Sequence, residues 1–112
     1  NTNQYIDNLQ QGIQTELSDK AQKSEALAVI KKMKEETKIY FKSTKESSAS
    51  LVKELTKEQI VPDAEFASAF DQLNTDRATY QKKMLALRGE LKKKISRDNW
   101  EKIFTAAGKE IK

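Results

Sequence analysis

The chain has 112 residues, of which 37% are hydrophobic and 34% are charged, and it contains neither cysteine nor histidine. The missing residue types exclude disulfides, thiol nucleophiles, thiolate metal sites and histidine-based proton transfer within this chain, and the low apolar content favours a thin helical bundle over a thick α/β core. Three glycines and one proline allow few turns, so we expect one helical domain over residues 1–112, built from a few long helices.

The charge distribution and the first residue of the chain bear on where in the cell the protein is located. Residues 81–112 carry ten basic and four acidic side chains, although the whole chain has a net charge of only +4. The chain begins with Asn1 rather than methionine, so either a leader was removed or the chain was shortened. Export from a bacterium, into the periplasm, is therefore one expectation. No run reaches the roughly 18 apolar residues of a membrane span, so we expect no membrane-spanning helix.

The first element in chain order is a short N-terminal helix. Its apolar stripe comprises Tyr5, Ile6, Leu9, Ile13 and Leu17. Gly12 weakens this helix by about 1 kcal/mol relative to alanine but does not end it. Ser18 and Asp19 are candidate caps for a new helix near residue 20. The pattern leaves open whether residues 1–24 continue the following helix or fold back.

A long helix is predicted next, over about 24–55. A stripe that repeats every three or four positions, weaker in the middle, runs through Leu27, Ile30, Met33, Thr37, Tyr40, Phe41, Thr44, Ser48, Leu51, Val52 and Leu55. Five serine and threonine residues between 43 and 50 are weak helix formers. Because the stripe keeps its phase across them, we expect one continuous helix.

A second long helix is predicted over about 63–95. Pro62 suits a first helical turn, and Asp63 and Glu65 place negative charge at the positive end of the helix dipole. Lysines at 92–94 suit the opposite end. Apart from one arginine, apolar residues follow heptad spacing at Phe66, Phe70, Leu73, Arg77, Tyr80, Met84, Leu87 and Leu91. This spacing is typical of a coiled-coil seam.

The two long helices are predicted to form an antiparallel hairpin across a turn at 56–61. If residues face each other when their numbers sum to about 121, apolar layers meet apolar layers. These layers include Leu55 with Phe66, Leu51 with Phe70, Phe41 with Tyr80, and Ile30 with Leu91. The polar positions Thr44 and Arg77 also meet. Because one alignment pairs apolar with apolar and polar with polar positions, the pattern favours the hairpin. Arg77 either sets the register or binds an anion there, or extends past Thr44 to water.

The last element is a C-terminal helix. Ser96 is predicted as its N-cap, with Asp98 in its first turn. Its apolar stripe comprises Trp100, Ile103, Phe104, Ala107 and Ile111. Trp100 either belongs to the core or is an exposed anchor for a partner. The predicted fold is therefore all-α: a long-helix hairpin with shorter N- and C-terminal helices packed as a three- or four-helix bundle.

Residue types that carry chemistry are poorly represented. Di-iron centres in helical bundles need histidine, and no glycine-rich phosphate loop is present. The glutamates at 35, 36, 46, 54 and 58 lie off the seam, as expected for a solvated helix face. We therefore expect no catalytic, metal-binding or cofactor-binding residues and no enzymatic activity.

Two strings at helix junctions carry a resemblance. They are Leu55-Thr56-Lys57-Glu58-Gln59 and Ile95-Ser96-Arg97-Asp98-Asn99-Trp100. In both, Thr56 or Ser96 would accept a hydrogen bond from the backbone N–H three residues on. The strings resemble the L-T-x-x-Q motif of small helical periplasmic proteins of the Spy and CpxP type, the second copy without its threonine and glutamine. The resemblance implies an exported, long-helix stress protein, in some members an ATP-independent chaperone that holds clients on a basic, partly apolar concave surface. Other exported bacterial helical proteins end in a similar helix, cap and tryptophan.

The sequence thus predicts a non-enzymatic helical interaction protein whose partner is a protein. The candidate partner-binding residues are Lys82, Lys83, Arg88, Lys92, Lys93, Arg97 and Trp100. The alternative is a nucleic-acid-associated or intracellular coiled-coil adaptor, in which the basic stretch 82–97 neutralises phosphates. A homodimer is compatible with either hypothesis.

Overall fold

The computed structural model describes residues 2–56 and 63–109, and every regular element within these ranges is an α-helix. In chain order the helices are α1 (Thr2–Glu16), α2 (Lys20–Leu55), α3 (Asp63–Lys94) and α4 (Arg97–Lys109). The predicted all-α fold, with two long helices flanked by two short ones, is confirmed.

The N-terminal helix folds back onto the long helix that follows it. Residues 17–19 separate α1 from α2, and the Asp19 carboxylate accepts hydrogen bonds from the backbone N–H groups of Ala21 and Gln22, at 2.9 and 3.3 Å. Asp19 is therefore the predicted cap. Beyond this turn α1 packs on α2, where Lys34 forms an ion pair with Asp7 at 3.2 Å and also donates to the Gln10 side chain.

The two long helices end largely as the sequence predicts. Asp63 and Glu65 lie in the first turn of α3, and three lysines occupy its last turn. At the end of α2, the Thr56 hydroxyl donates to the Lys53 carbonyl at 3.1 Å. The predicted roles of Gln59 and Pro62 fall on residues outside the described ranges.

Cross-hairpin contacts establish that α2 and α3 run antiparallel. Three side-chain pairs, Glu25–Lys94, Glu36–Lys83 and Ser43–Asp76, share a residue-number sum of 119, against the predicted 121. The Tyr40 and Tyr80 rings stack with centroids 4.4 Å apart. The predicted register is therefore close to the observed one.

The face that α3 turns toward α2 nevertheless differs from the predicted heptad seam. Phe70 and Arg77 are exposed, whereas their neighbours Ala69 and Asp76 are half-buried. The Ser43 hydroxyl donates to the Asp76 carboxylate at 2.9 Å, so this pair replaces the predicted Thr44–Arg77 layer. Small and short side chains suit the narrow space between two closely packed helices, and a phenylalanine there needs a third helix to cover it.

The face that α2 turns toward α3 also differs from the predicted one. Tyr40, rather than Phe41, meets Tyr80, and Phe41 is exposed beside Tyr40 at a centroid distance of 5.7 Å. Leu55, predicted to meet Phe66, is also exposed. The predicted apolar seam was therefore wrong at these positions. An apolar stripe that contacts two neighbouring helices is wider than the interface with one helix, so part of it stays exposed where only the hairpin partner is present.

The hydrophobic core lies at the open end of the hairpin. Its buried apolar residues are Ile6, Leu9, Ile13, Leu17, Ala26, Val29, Ile30, Met33, Leu87, Leu91, Ile95, Ile103 and Ala107. Here α1 packs on α2, α4 packs on α1, and the Trp100 and Phe104 rings of α4 also lie against Arg88 of α3. Ser96 is the N-cap of α4 as predicted, since its hydroxyl accepts a hydrogen bond from the Asn99 backbone N–H at 3.3 Å. We call this four-helix part the body.

Beyond the body, α2 and α3 continue alone. No described residue between 38 and 86 is fully buried. We call residues 41–55 and 63–79 the hairpin extension. The described residues accordingly span 62 × 25 × 17 Å. None of the helices in the described ranges is long and apolar enough to cross a membrane.

Candidate binding surfaces

The hairpin extension exposes large apolar side chains that the sequence pattern assigns to the core. Their exposed fractions are 45% for Phe41, 58% for Val52, 62% for Leu55 and 53% for Phe70. Single exposed apolar residues are normal on a protein surface, but a group on one face marks an interaction surface.

Helical spacing places these four side chains on the face of the hairpin that α1 covers in the body. Lys34 contacts α1, and Phe41 lies two turns further along α2, so both occupy the same face. Val52 follows Phe41 after three turns. On α3, Phe70 lies three turns before Gln81, which lines a groove against α1. We call the surface formed by Phe41, Val52, Leu55 and Phe70 the bare face.

A groove of about 470 Å³ opens in the body, between α3 on one side and α1 and α4 on the other. Its lining residues are Thr2, Tyr5, Ile6, Leu9, Met33, Tyr80, Gln81, Met84, Leu85, Arg88 and Phe104. Six of these side chains are aliphatic, methionine or phenylalanine, and Arg88 is the one charged residue among the lining residues. This volume and composition are typical of small-molecule sites.

Arg88 is held at the rim of the groove by aromatic rings from α4. Its guanidinium carbon lies 5.2 Å from the centroid of the Trp100 ring and 5.7 Å from that of Phe104. The two rings stack on each other at 3.7 Å. Among the described residues no carboxylate forms an ion pair with Arg88. The groove therefore ends at an oriented cation whose charge is not neutralised by the chain around it.

Two tyrosines supply hydroxyls to the same groove. A tyrosine hydroxyl is neutral at physiological pH, and burial raises the pKa of Tyr5 further, against the opposing effect of the nearby Arg88 charge. The Tyr5 ring meets Phe104 edge-on at 6.4 Å. The Thr37 hydroxyl donates to the Met33 carbonyl at 2.8 Å, so the Tyr80 hydroxyl, also 2.8 Å away, donates to Thr37.

The basic residues predicted to bind a partner do not form one surface. Lys83 pairs with Glu36 at 3.3 Å on the α2 side, and Arg97 pairs with Glu101 at 3.5 Å within α4. Lys92 shares the face of Arg88, one helical turn on. These side chains therefore point in different directions around the bundle.

Lys82 and Lys93 point away from the core. Each follows a core-side residue, Tyr80 or Leu91, by two positions, a step of roughly 200° around the helix. Both are exposed and form no ion pair with any residue that the structure describes. Of the seven predicted residues, the structure brings together only Arg88 and Trp100 in direct contact.

Sequence reasoning missed the groove because its lining was assigned to core stripes. Tyr5, Met84 and Phe104 were predicted to be buried, and the structure leaves them half-buried against the core. Trp100, for which core and surface roles were both open, is likewise half-buried and packed on the core. Within the described ranges, no group of three or more acidic side chains is placed to hold a metal ion.

Comparisons with protein-family models, with curated proteins and with solved structures found no match.

Proposed function

We propose that this chain is a non-enzymatic helical binding protein of the chaperone-like type, which holds apolar segments of partner proteins on the bare face. The observation that carries the proposal is the group of four large apolar side chains, 45% to 62% exposed, on one side of the hairpin extension. In the body the same side of the hairpin is covered by α1. An apolar partner segment that binds along this side of the extension would remove the exposed apolar side chains from water.

The composition of the extension suits weak binding of varied segments. Between 41 and 55, α2 intersperses its apolar residues with serines and lysines, and the first turns of α3 are acidic. Scattered apolar contacts with charges of both signs around them give modest affinity without demanding one partner sequence. The resemblance to Spy and CpxP proteins agrees with this reading, and a periplasmic location is part of the proposal.

The test measures aggregation of a reduced, disulfide-free client protein after dilution from denaturant, followed by light scattering. We expect the wild-type chain to suppress aggregation at stoichiometric amounts. The double variant Phe41→Ser/Phe70→Ser should lose most of that effect, because it removes the two aromatic side chains of the bare face.

Ile39→Ser is the matched control. Ile39 is 59% exposed on the same helix, but it lies on the opposite flank of the hairpin, beside Asp76 and Lys83. This variant removes comparable exposed apolar surface and should retain suppression. An inactive wild type, or equal activity of the double variant and wild type, would contradict the proposal.

A further inference from the structure

We propose that the groove between α1, α3 and α4 binds a single-chain amphiphile, with its hydrocarbon chain along the groove and its anionic head on Arg88. The groove lies in the body, apart from the bare face. The inference therefore concerns a second site and does not depend on the proposed chaperone-like function.

The chain-binding part follows from the groove lining. Ile6, Leu9 and Met33 form the deep side of the groove, and all three are buried core residues. Met84 and Leu85 of α3 form one wall, and methionine adapts readily to flexible apolar ligands. A hydrocarbon chain in this space is removed from water without leaving a polar group unpaired.

The head-binding part follows from Arg88. A guanidinium presents paired N–H donors that match a carboxylate, sulfate or phosphate oxygen pair. Stacking on Trp100 and Phe104 holds the Arg88 group in place before a ligand arrives, which lowers the entropy cost of binding. No described carboxylate neutralises it.

Other groups at the rim also favour an anion over a cation. Tyr5 lines the groove, and its neutral hydroxyl retains a proton that can be donated. The side chains of Thr2 and Gln81 add further donors among the lining residues, and no carboxylate lines the groove. A positively charged head would therefore meet Arg88 without a compensating acid.

The test titrates wild-type protein with dodecanoate below its micelle-forming concentration. Trp100 is the single tryptophan and contacts Arg88, so its fluorescence reports head binding directly. We expect saturable binding that is about fourfold tighter for each methylene added between decanoate and dodecanoate. Dodecyltrimethylammonium should bind at least tenfold more weakly, and acetate, which has the head without the chain, should not compete.

Variants separate the head from the chain, with calorimetry as the readout because it does not depend on Trp100. Arg88→Gln should weaken dodecanoate binding at least tenfold and leave a neutral dodecyl glycoside unaffected. Leu85→Glu, at a residue 67% exposed and therefore tolerant of change, should also weaken the anion by placing a like charge on the wall. Lys92→Gln is the matched control, since it removes a cation from the same face of α3 outside the groove.

Several outcomes would overturn the inference. These are equal binding of the cationic amphiphile, dodecanoate affinity unchanged by Arg88→Gln, or capture of an acidic peptide in the groove without any dodecanoate binding. Because the bare face is a separate surface, saturating dodecanoate should leave aggregation suppression unchanged, and the two proposals can fail independently.

Discussion

Gly12 of α1 lies against Ile103 of α4, where the two helices pack together. A Cβ atom built there would stand 3.1 Å from Ile103 Cγ2, and Ile103 is fully buried, so it has little room to move. Gly89 and Gly108 have no such neighbour within 4 Å. Sequence reasoning treated Gly12 only as a weak helix former, whereas the structure shows that its missing side chain permits close packing.

Gly12→Val should therefore destabilise the protein. The added side chain overlaps Ile103, and overpacking of a well-filled core typically costs about 1–3 kcal/mol. Chemical denaturation followed by circular dichroism would measure the change. Gly89→Val is the control, with an expected change within about 0.5 kcal/mol, because an exposed valine replaces glycine in a helix without a clash. Equal effects of the two substitutions would refute the packing role of Gly12.

Two threonines on α2 illustrate how hydrogen bonding decides the effect of the same substitution. Thr37 is 1% exposed, and its hydroxyl contacts both the Met33 carbonyl and the Tyr80 hydroxyl. The Thr44 hydroxyl is buried and has no hydrogen-bond partner in the part of the chain that the structure describes. A buried hydroxyl without a partner costs free energy, and one with partners does not.

Thr44→Val should accordingly stabilise the protein by up to about 1 kcal/mol, since it removes an unpaired buried hydroxyl at nearly constant shape. Thr37→Val should destabilise it by about 1–2 kcal/mol, since the Tyr80 hydroxyl loses its acceptor. Urea unfolding midpoints of the two variants provide the measurement. A destabilised Thr44→Val protein would show that this hydroxyl is satisfied in solution.

At the scale of elements, one pair of helices serves two different environments. In the body, α2 and α3 are covered by α1 and α4, and all the fully buried apolar side chains of the described residues lie there. In the hairpin extension the same two helices have only each other. A two-helix pair buries little apolar surface, and local stability follows burial.

Hydrogen exchange should reveal this difference within the single helix α2. Backbone amides of residues 41–55 should exchange at least tenfold faster than those of residues 26–37, because opening the extension breaks few buried contacts. Amide exchange followed by mass spectrometry or NMR would resolve the two segments, with the body segment as internal control. Uniform protection along α2 would mean that the extension is stabilised by contacts with another molecule.

The whole molecule is elongated because its core is confined to one end. The Cα radius of gyration of the described residues is 18.5 Å, whereas a compact domain of 100 residues has a value of about 13 Å. The protruding extension carries the bare face on one side of a narrow arm, where a partner can approach without meeting the body.

Small-angle scattering of a dilute solution should therefore give a radius of gyration near 18.5 Å together with the mass of one chain. The Phe41→Ser/Phe70→Ser variant should give the same value, since neither side chain is buried. A value near 13 Å would show that the extension folds back on the body. Twice the monomer mass, lost in the double variant, would show that a second copy covers the bare face.

The sequence alone determined the helices, their order and their pairing. Heptad spacing, the Asp19 and Ser96 caps and the charges at the ends of α3 act through neighbours along the chain, so they can be read from local pattern. The predicted hairpin register lies within two residues of the observed one, because matching apolar with apolar positions on the two helices places their antiparallel pairing approximately. Arg88 and Trp100 were both named as candidates, although from charge and residue type rather than from their contact.

Only the tertiary structure decided which side of each apolar stripe is buried. A helix pattern shows that Phe41 and Phe70 are apolar and in phase, but not how many neighbouring helices are present to cover them. That number depends on the lengths and packing of α1 and α4, which reach across the body and stop before the extension. For the same reason the groove, formed by residues from all four helices, and the unneutralised charge of Arg88 at its rim became visible only in three dimensions.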